Sequence, residues 1–350
     1  MFRATRKTLK MKGLTIASCL ALSFAVNNIA SASGYDPAVE KPEMTSVTIG
    51  TARDPNLGAL IIITNERGYF EESGLDMDVQ FFPSGGDLAS AVVGGSILIG
   101  SSGSTPTTTL RSSPFPIQII ARQADISGAQ QVIVDGGISS PADLEGKTIA
   151  YMPGTSSEGL LNGLVAEYGL DRSSMNLISM GPSEMVTAFV RRDVDAVSVW
   201  ETHASRARLM GNGTLLHSGT TSYSSNGGQA NRIYGDHSTL FATEEFISSN
   251  PNTVKAILYS LTKGAEFIEN EPEAASEVLS GVLGMEPDEM LDIMSSNRYT
   301  LAIDNEMVSD LDSLAGFLES RGRISDRVAP MDWINHELLQ AVRPDLVSID

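Results

Sequence analysis

The chain has 350 residues and a formal net charge of −19 at pH 7, with one cysteine and four histidines. So acidic a chain is a poor partner for nucleic acid, whose recognition requires clustered lysine and arginine. A single cysteine excludes a disulfide-stapled scaffold. The length is sufficient for a large core divided between two lobes or domains.

The first 32 residues have the pattern of a secretory signal peptide. Basic side chains precede an apolar stretch from about residue 14 to residue 26, and Ala30-Ser31-Ala32 has the form of a cleavage site. The apolar stretch is too short and wrongly flanked for a membrane span. We expect cleavage near Ala32 and a soluble exported protein. The alternative is a lipid anchor at Cys19, because Ile16-Ala17-Ser18-Cys19 is a loose lipoprotein box.

Strand and helix patterns alternate along the rest of the chain. Apolar periodicity predicts, in this order, a strand at 47–50, a helix at 59–70, a strand at 77–82, a helix at 85–93, a strand at 97–99, a strand at 148–151, helices at 160–168 and 185–190, and a strand at 194–199. A strand at 239–242 then returns the chain, before helices at 251–268, 272–283, 288–294 and 307–321. This alternation favours an α/β fold with a mostly parallel sheet.

Two hydroxyl-rich stretches each lie between an expected strand and an expected helix. One is Gly100-Ser-Ser-Gly-Ser-Thr-Pro-Thr-Thr-Thr-Leu110, and the other is Pro153-Gly-Thr-Ser-Ser157. The first N–H groups of a helix lack partners and the helix dipole is positive there, so an anion or carbonyl is favoured. Ligands of open α/β sheets bind beyond the carboxyl ends of the strands. The candidate ligand-binding residues in these stretches are Gly103, Ser104, Thr105, Thr155 and Ser156.

Helix capping is the alternative interpretation of both stretches. Thr155-Ser156-Ser157-Glu158 has the spacing of a capping box, in which the side chains satisfy the donors of their own helix. Pro106 is ordinary in the first turn of a helix.

The expected strand at 194–199 is followed by Trp200 and Glu201. Trp200 is either a core side chain or an aromatic wall of a cleft. Glu201 is either solvated or the partner of a cationic group on a ligand. Arg53 and Asp54, just beyond the first strand, are further candidates of opposite charge.

The common catalytic patterns are absent from the sequence. The four histidines show no metal-ligand spacing, and no Gly-x-Ser-x-Gly lies at a strand-to-helix elbow. Fingerprints of phosphate loops and dinucleotide sites are also missing. We therefore predict a protein that is not an enzyme and has neither a metal nor a cofactor.

Three segments resemble a known family. Residues 88–106, LASAVVGGSILIGSSGSTP, resemble the helix, strand and loop of periplasmic solute-binding proteins for nitrate, sulfonate, taurine and bicarbonate. Residues 143–150, DLEGKTIA, resemble the entry to the second lobe of those proteins. Residues 189–201, FVRRDVDAVSVWE, resemble the strand of that lobe that ends in tryptophan. The resemblance runs in the same order through most of residues 46–320.

The resemblance implies a type II periplasmic binding protein fold, with two α/β lobes around a ligand cleft. It implies a discontinuous first lobe of residues 45–127 and 223–325, a second lobe of residues 128–222 and a C-terminal tail of residues 326–350. In the family, positions that match Ser104 and Thr105 hold an anionic head, while those that match Thr155, Ser156 and Trp200 face it from the other lobe. Asp236 and His237 correspond to the segment that returns past the cleft.

The expected function is that of the periplasmic component of an ABC importer, and we expect the protein to be a monomer. The expected ligand is a small organic anion or zwitterion, such as a sulfonate or taurine, that is handed to a membrane permease with its ATPase. A thiamine-pyrimidine precursor or an aromatic compound, an enzyme on the same fold, and a sensor component remain alternatives.

Overall fold

The computed structural model describes residues 35–36, 40–83, 85–113, 115–224 and 227–349. The expected signal peptide and Cys19 lie outside the described residues. Within the described ranges, no helix combines the length and apolarity that crossing a bilayer requires.

Short strands and longer helices alternate, as the sequence pattern predicts. The strands are β1 (Ser46–Ala52), β2 (Asp76–Phe82), β3 (Ile99–Gly103), β4 (Ile117–Asp125), β5 (Gln130–Val134), β6 (Thr148–Tyr151), β7 (Asn176–Ser179), β8 (Ala196–Trp200), β9 (Thr214–Ser218), β10 (Thr221–Ser222), β11 (Gln229–Ala230), β12 (His237–Thr243), β13 (Arg298–Tyr299), β14 (Ile303–Asp304) and β15 (Val347–Ser348). The helices are α1 (Ala59–Glu66), α2 (Tyr69–Glu72), α3 (Gly85–Val93), α4 (Ser104–Ser112), α5 (Ser156–Tyr168), α6 (Pro182–Val190), α7 (His203–Gly211), α8 (Glu244–Ser249), α9 (Pro251–Asn270), α10 (Pro272–Leu283), α11 (Pro287–Met294), α12 (Asn305–Ser320) and α13 (Glu337–Val342).

Two mixed sheets organise the molecule. The first has the strand order β13-β4-β12-β3-β1-β2, and the second has the order β11-β10-β9-β5-β8-β6-β7. In both, parallel strands occupy one side: β2-β1-β3 in the first sheet and β7-β6-β8 in the second. We call the first sheet with its helices the first lobe, and the second sheet with α5, α6 and α7 the second lobe.

The chain passes twice between the lobes. It leaves the first sheet at the end of β4 and returns to it at β12, which lies between β4 and β3 and pairs antiparallel with both. One large apolar core covers the first sheet. Two smaller cores, which include Leu160 and Phe189 respectively, lie in the second lobe. The first lobe is therefore built from chain segments on both sides of the second.

The structure corrects the predicted boundaries of two elements. The single helix expected at 59–70 is two helices, because Gly68 adopts a left-handed conformation with φ 72° between them. The strand expected at 97–99 begins at Ile99 and continues through Gly103, so the first half of the predicted hydroxyl-rich loop is a buried strand. Pairing with β12 stabilises that strand despite its small polar residues.

Residues 326–349, which we expected to form a C-terminal tail, contribute to the first lobe. Helix α13 lies in this segment, β15 pairs in parallel with β14, and Trp333 and Leu339 belong to the large apolar core. The backbone of Trp333 also accepts a hydrogen bond from Ile119 of β4. The segment thus supplies part of the core on which the first sheet rests.

Replacing Trp333 tests this contribution to stability. Trp333 is 2% exposed, so Trp333→Ala leaves a cavity and we expect it to lower the free energy of unfolding by about 3–5 kcal/mol. Met331→Ala is the control, because Met331 is 42% exposed and its loss should change stability by less than about 0.5 kcal/mol. Chemical denaturation measures both, and equal values would contradict the packing described here.

Candidate ligand cleft

A cavity of about 760 Å³ lies where the two lobes meet, a size typical of small-molecule sites. Its lining comes from both lobes and from the crossings between them. The lining residues are Ala52, Asp54, Asn56, Leu57, Pro83, Gly85, Gly86, Ala89, Ser102, Gly103, Thr105, Pro106, Thr109, Leu110, Ser113, Ile126, Gln130, Met152, Gly154, Thr155, Ser156, Pro182, Trp200 and Asp236. We call this cavity the cleft.

The cleft lies at the carboxyl ends of parallel strands in both sheets. Ala52, Gly103 and Trp200 are the last residues of β1, β3 and β8, and Met152 directly follows β6. This is the edge at which open α/β sheets bind ligands, because the loops there are free of sheet pairing.

Five helices begin at this edge, namely α1, α3, α4, α5 and α6. Each starts at a residue that lines the cleft or within two positions of one. Helix N-termini carry unpaired N–H groups and a partial positive charge, so their convergence gives the cleft a field that favours negative groups. Side chains and ligands compete for these N–H groups.

At α5, side chains at the start of the helix accept hydrogen bonds from some of these N–H groups. The Thr155 hydroxyl accepts a hydrogen bond from the N–H of Ser157 at 3.3 Å and donates one to the carbonyl of Met152 at 2.8 Å. Glu158 accepts from the N–H of Gly154 at 2.8 Å. Gly154 has φ 73°, which allows the tight turn from β6 into the helix. Capping and cleft lining therefore coexist at Thr155.

At α4, the carboxylate at the start of the helix belongs to Asp236, which directly precedes β12. The Ser104 N–H donates to Oδ1 of Asp236 at 3.4 Å. The Ser104 hydroxyl accepts from the His237 N–H at 2.9 Å and donates to the His237 carbonyl at 3.1 Å. These bonds join the β3–α4 junction to the start of β12.

Six of the ten residues proposed from the sequence line the cleft: Asp54, Gly103, Thr105, Thr155, Ser156 and Trp200. The structure brings them together from both lobes, with Thr105 on α4 and Ser156 on α5 lining the same space.

The other four lie outside the lining, each for an identifiable reason. Arg53 points away and donates to the carbonyl of Val282 at 2.8 Å. Ser104 is 1% exposed, and its hydroxyl is used by the backbone of His237. The imidazole of His237 lies behind the wall, where Nε2 is 2.9 Å from Oδ2 of Asp310.

Glu201 is the fourth, and the sequence interpretation of it as solvated or facing a ligand is not what the structure shows. Its carboxylate is buried and accepts hydrogen bonds from the Ser205 N–H, from Gln131 and from Arg208, at 2.9–3.1 Å. Burial raises its pKa, while the hydrogen bonds from Ser205 and the charge of Arg208 oppose that rise. Glu201 thus anchors α7 to β8.

Several lining residues were not proposed from the sequence. Asn56, Gln130 and Ser102 supply polar atoms, and Met152 and Pro182 supply apolar surface. The sequence signal for Asn56 was its place beside Asp54 after β1. Ser102 was hidden because its stretch was interpreted as a loop, and nothing in the local pattern distinguished Gln130 from other polar strand residues.

Contacts between the lobes hold the cleft in this geometry. The Asn56 amide donates to the carbonyl of Glu201 at 2.7 Å and accepts from Asn297 at 3.0 Å. Arg208 of α7 lies 3.4 Å from Asp292 of α11. Asn56 therefore both lines the cleft and joins the two lobes.

Two carboxyl groups line the cleft, Asp54 and Asp236. Oδ1 of Asp54 accepts from the N–H groups of Asn56 and Leu57, and burial raises the pKa of Asp54. Burial also raises the pKa of Asp236 to about 7, with the charge of Asp125 adding to the rise and hydrogen bonds from Ser104 opposing it. Among the described lining residues there is no lysine, arginine or histidine.

A second cavity, of about 640 Å³, lies within the first lobe beside α9, α11 and β13. It includes none of the ten proposed residues and no strand end of the second lobe, so we regard the larger cleft as the functional site. In the described part of the chain, no group of three or more histidine, cysteine, aspartate or glutamate side chains has an arrangement that could hold a metal ion.

The pKa of Asp236 predicts a pH-dependent stability. The folded pKa of about 7 exceeds the ordinary value of 3.8, so folded protein retains the proton while unfolded chain has lost it. The stabilising contribution is complete below pH about 4 and disappears as the pH rises to about 7. Asp236→Asn removes it. We expect the unfolding free energy of wild type minus that of the variant to fall by up to a few kcal/mol from pH 4 to pH 7.

Urea denaturation at each pH measures this difference. The neighbouring Asp125 has a pKa of about 2 and titrates below the window, and the raised pKa values of Asp54 and Glu201 act equally in both proteins. A difference that does not change with pH would show that Asp236 is not perturbed.

Comparison with known proteins supports these observations. A protein of Brucella abortus (strain 2308), named only provisionally as a binding protein, is 24% identical over 307 residues, which cover 85% of this chain and 92% of that protein. The taurine-binding periplasmic protein of Escherichia coli (strain K12) is 27% identical over 132 residues, 38% of this chain and 41% of that protein.

Solved structures show the same fold. The periplasmic aliphatic sulphonate binding protein SsuA of Escherichia coli superposes with a TM-score of 0.71 at 18% identity, covering 84% of this chain and 92% of that one. The desulfurization enzyme DSZB superposes with a TM-score of 0.61 at 14% identity, covering 86% and 99%. The likeness confirms the predicted α/β fold of periplasmic binding proteins. Because the sequence profile of the NMT1/THI5-like family matches residues 57–275, the chain belongs to that family.

Proposed function

We propose that this protein is the extracytoplasmic solute-binding component of an ABC importer. In this proposal it is exported by its N-terminal signal, works in the periplasm, binds a small solute between its lobes and delivers it to the permease. The proposed ligand is a small organic anion or zwitterion of the sulfonate or taurine type. The two lobes move about the two crossings; β11 and residues 326–349 extend the second and the first lobe beyond the expected bounds of 128–222 and of 45–127 with 223–325.

The observation that carries the proposal is the construction of the cleft from both lobes. Thr105 and Gly103 come from the first, and Thr155, Ser156 and Trp200 from the second. A solute held by both sets stabilises the closed arrangement relative to the open one, so binding shifts the conformational equilibrium. A permease that recognises the closed form then receives only loaded protein.

Helix N-termini alone do not supply enough affinity. Each is worth about 0.3–1 kcal/mol when exposed and about 2 kcal/mol in favourable buried geometry, whereas a micromolar dissociation constant corresponds to about 8 kcal/mol. Direct hydrogen bonds to the ligand and contact with the Trp200 ring must supply the difference. Distant surface carboxylates matter less, because salt screens them over about 8 Å.

Transport is favoured over catalysis by the binding proteins among its relatives and by the chemistry of the cleft. Among the described residues the lining contains no histidine, cysteine or lysine, which are common bases and activated nucleophiles in enzymes. The enzyme DSZB shows that the fold also supports catalysis. Turnover of a sulfonate or sulfinate by the purified protein would reverse this preference.

A pyrimidine ligand is the second candidate. The acceptor-rich lining, with Asp54, Asp236 and Gln130, suits the amino group of such a ring, and Trp200 offers it an aromatic face.

A thermal-shift panel tests the proposal directly. Taurine, alkanesulfonates, nitrate and an aminopyrimidine are each added to the purified protein. A ligand at one hundred times its dissociation constant should add about 2.7 kcal/mol of stability and raise Tm by several degrees. Native mass spectrometry of co-purifying compounds identifies a tightly held solute independently. No stabilisation by any of these compounds, and no retained solute, would count against the proposal.

Trp200→Ala tests the position of the site. Loss of the aromatic surface should weaken binding of the stabilising ligand by about tenfold or more. Ser156→Ala should weaken it by a smaller factor. Ser104→Ala should lower stability as well as affinity, because its hydroxyl holds the His237 backbone. Leu209→Ala is the control, because Leu209 is 76% exposed and outside the lining. Isothermal titration calorimetry provides the affinities; unchanged values for both cleft variants would place the site elsewhere.

A further inference from the structure

The charge of the cleft is unusual for a site that receives an anion. Its described lining contains two carboxyl groups, Asp54 and Asp236, and no cationic side chain. A third carboxylate, Glu158, lies just behind the start of α5, with Arg172 at 3.9 Å. A bare anion in this space would meet two carboxyl groups, and the guanidinium of Arg323 lies only beside Gly154, at the α5 end.

The two lining carboxylates also accept backbone N–H groups that an anion would otherwise use. Asp54 accepts from the N–H groups of Asn56 and Leu57 at 2.8 and 2.9 Å, in the turn that precedes α1. Asp236 accepts from the N–H of Ser104, the first residue of α4. The protein therefore supplies its own carboxylates to the turn before α1 and to the start of α4.

A second, independent observation comes from unpaired polar atoms. Oγ of Ser102 and Oε1 of Gln130 have no hydrogen-bond partner among the described residues, although Ser102 is 1% and Gln130 is 2% exposed. Both residues line the cleft. The Gln130 amide nitrogen is directed to the carbonyl of Ile126 at 3.4 Å, which leaves the oxygen as the free atom. The buried amide oxygen of Gln130 is costly unless a ligand supplies a donor, whereas the Ser102 hydroxyl can either accept or donate.

Glu201 does not provide this recognition. Its carboxylate is already bonded to Ser205, Gln131 and Arg208 and does not line the cleft. The acidic groups available to a ligand lie instead on the first-lobe side, after β1 and before β12.

We propose that Asp54 and Asp236 select a ligand that carries an N–H donor group, such as a protonated amine or a ring amine, and reject bare anions such as nitrate and unsubstituted alkanesulfonates. The donor group lies on the first-lobe side beside Ser102, and Gln130 at the start of β5 offers a further acceptor from the second lobe. This inference rests on the proposed solute-binding function and narrows its ligand. Any anionic part of the ligand faces the start of α5 at Ser156.

A matched pair of ligands separates the inferred selection for an N–H donor from the proposed binding of sulfonates. Taurine (2-aminoethanesulfonate) and propane-1-sulfonate have the same length and sulfonate and differ in an ammonium against a methyl group. We would titrate both, and 4-amino-2-methylpyrimidine as a donor without an anion, by calorimetry at pH 8 into purified wild type, Asp236→Asn and Asp54→Asn. Asp193→Asn is the control, because it removes the same charge from an exposed residue outside the cleft.

We expect wild type to bind taurine at least about tenfold more tightly than propane-1-sulfonate, as a charge-assisted hydrogen bond requires. Asp236→Asn should weaken the binding of taurine by about tenfold and should leave the affinity for propane-1-sulfonate unchanged or higher. Asp54→Asn should change both affinities in the same direction. Asp193→Asn should change neither. Binding of the aminopyrimidine alone, weakened by Asp236→Asn, would support the inference and refute the sulfonate part of the proposed function.

Equal affinity for taurine and propane-1-sulfonate would overturn the inference while leaving the solute-binding role intact. The same holds if both aspartate variants bind taurine as wild type does. If none of the three probes binds and the retained solute lacks an N–H donor, the inference is wrong and the ligand assignment of the proposed function fails with it.

Discussion

The hydrogen bonds of Ser104 with the His237 backbone and the Asp236 carboxylate hold together the part of the molecule on which the cleft depends. They fix the returning chain beside the β3–α4 junction, so β12 can insert between β3 and β4. The same arrangement brings the Asp236 carboxylate to the start of α4. Ser104 therefore both fixes the returning chain, through His237, and positions the Asp236 carboxylate at the cleft.

Closure of the lobes rests on a small number of direct contacts. The amide of Asn56 reaches the Glu201 carbonyl, and Arg208 approaches Asp292, which is well exposed. Exposed ion pairs contribute about 0–1 kcal/mol, and a single neutral hydrogen bond contributes about 1 kcal/mol. Each of these contacts between the lobes is therefore weak by itself.

Much of the fold could be predicted from the sequence because apolar periodicity reports burial directly. Helix α10 was predicted with its exact bounds, and β2 and β12 within two residues. The strand β3 was truncated because Gly100 to Gly103 have little intrinsic preference for a strand, and their pairing with β12 is a tertiary effect. The break at Gly68 needed a backbone conformation that periodicity does not encode.

The site was harder to predict than the fold. Residues at strand ends, such as Thr105 and Trp200, could be proposed because the α/β rule assigns ligands to that edge. The direction in which a side chain points could not be predicted. Glu201 and His237 turn away from the cleft because they bind Gln131 and Asp310, which are distant in sequence. Asn56 and Gln130 are ordinary polar residues whose importance arises only when two lobes meet.

The interleaved chain path has a consequence for how this molecule acquires its structure during synthesis. The second sheet uses only residues between Gln130 and Ala230, whereas the first also needs β12 and the segment that contains Trp333. As the polypeptide emerges from its amino end, the second lobe can form while the first lobe still lacks β12 and the segment that contains Trp333.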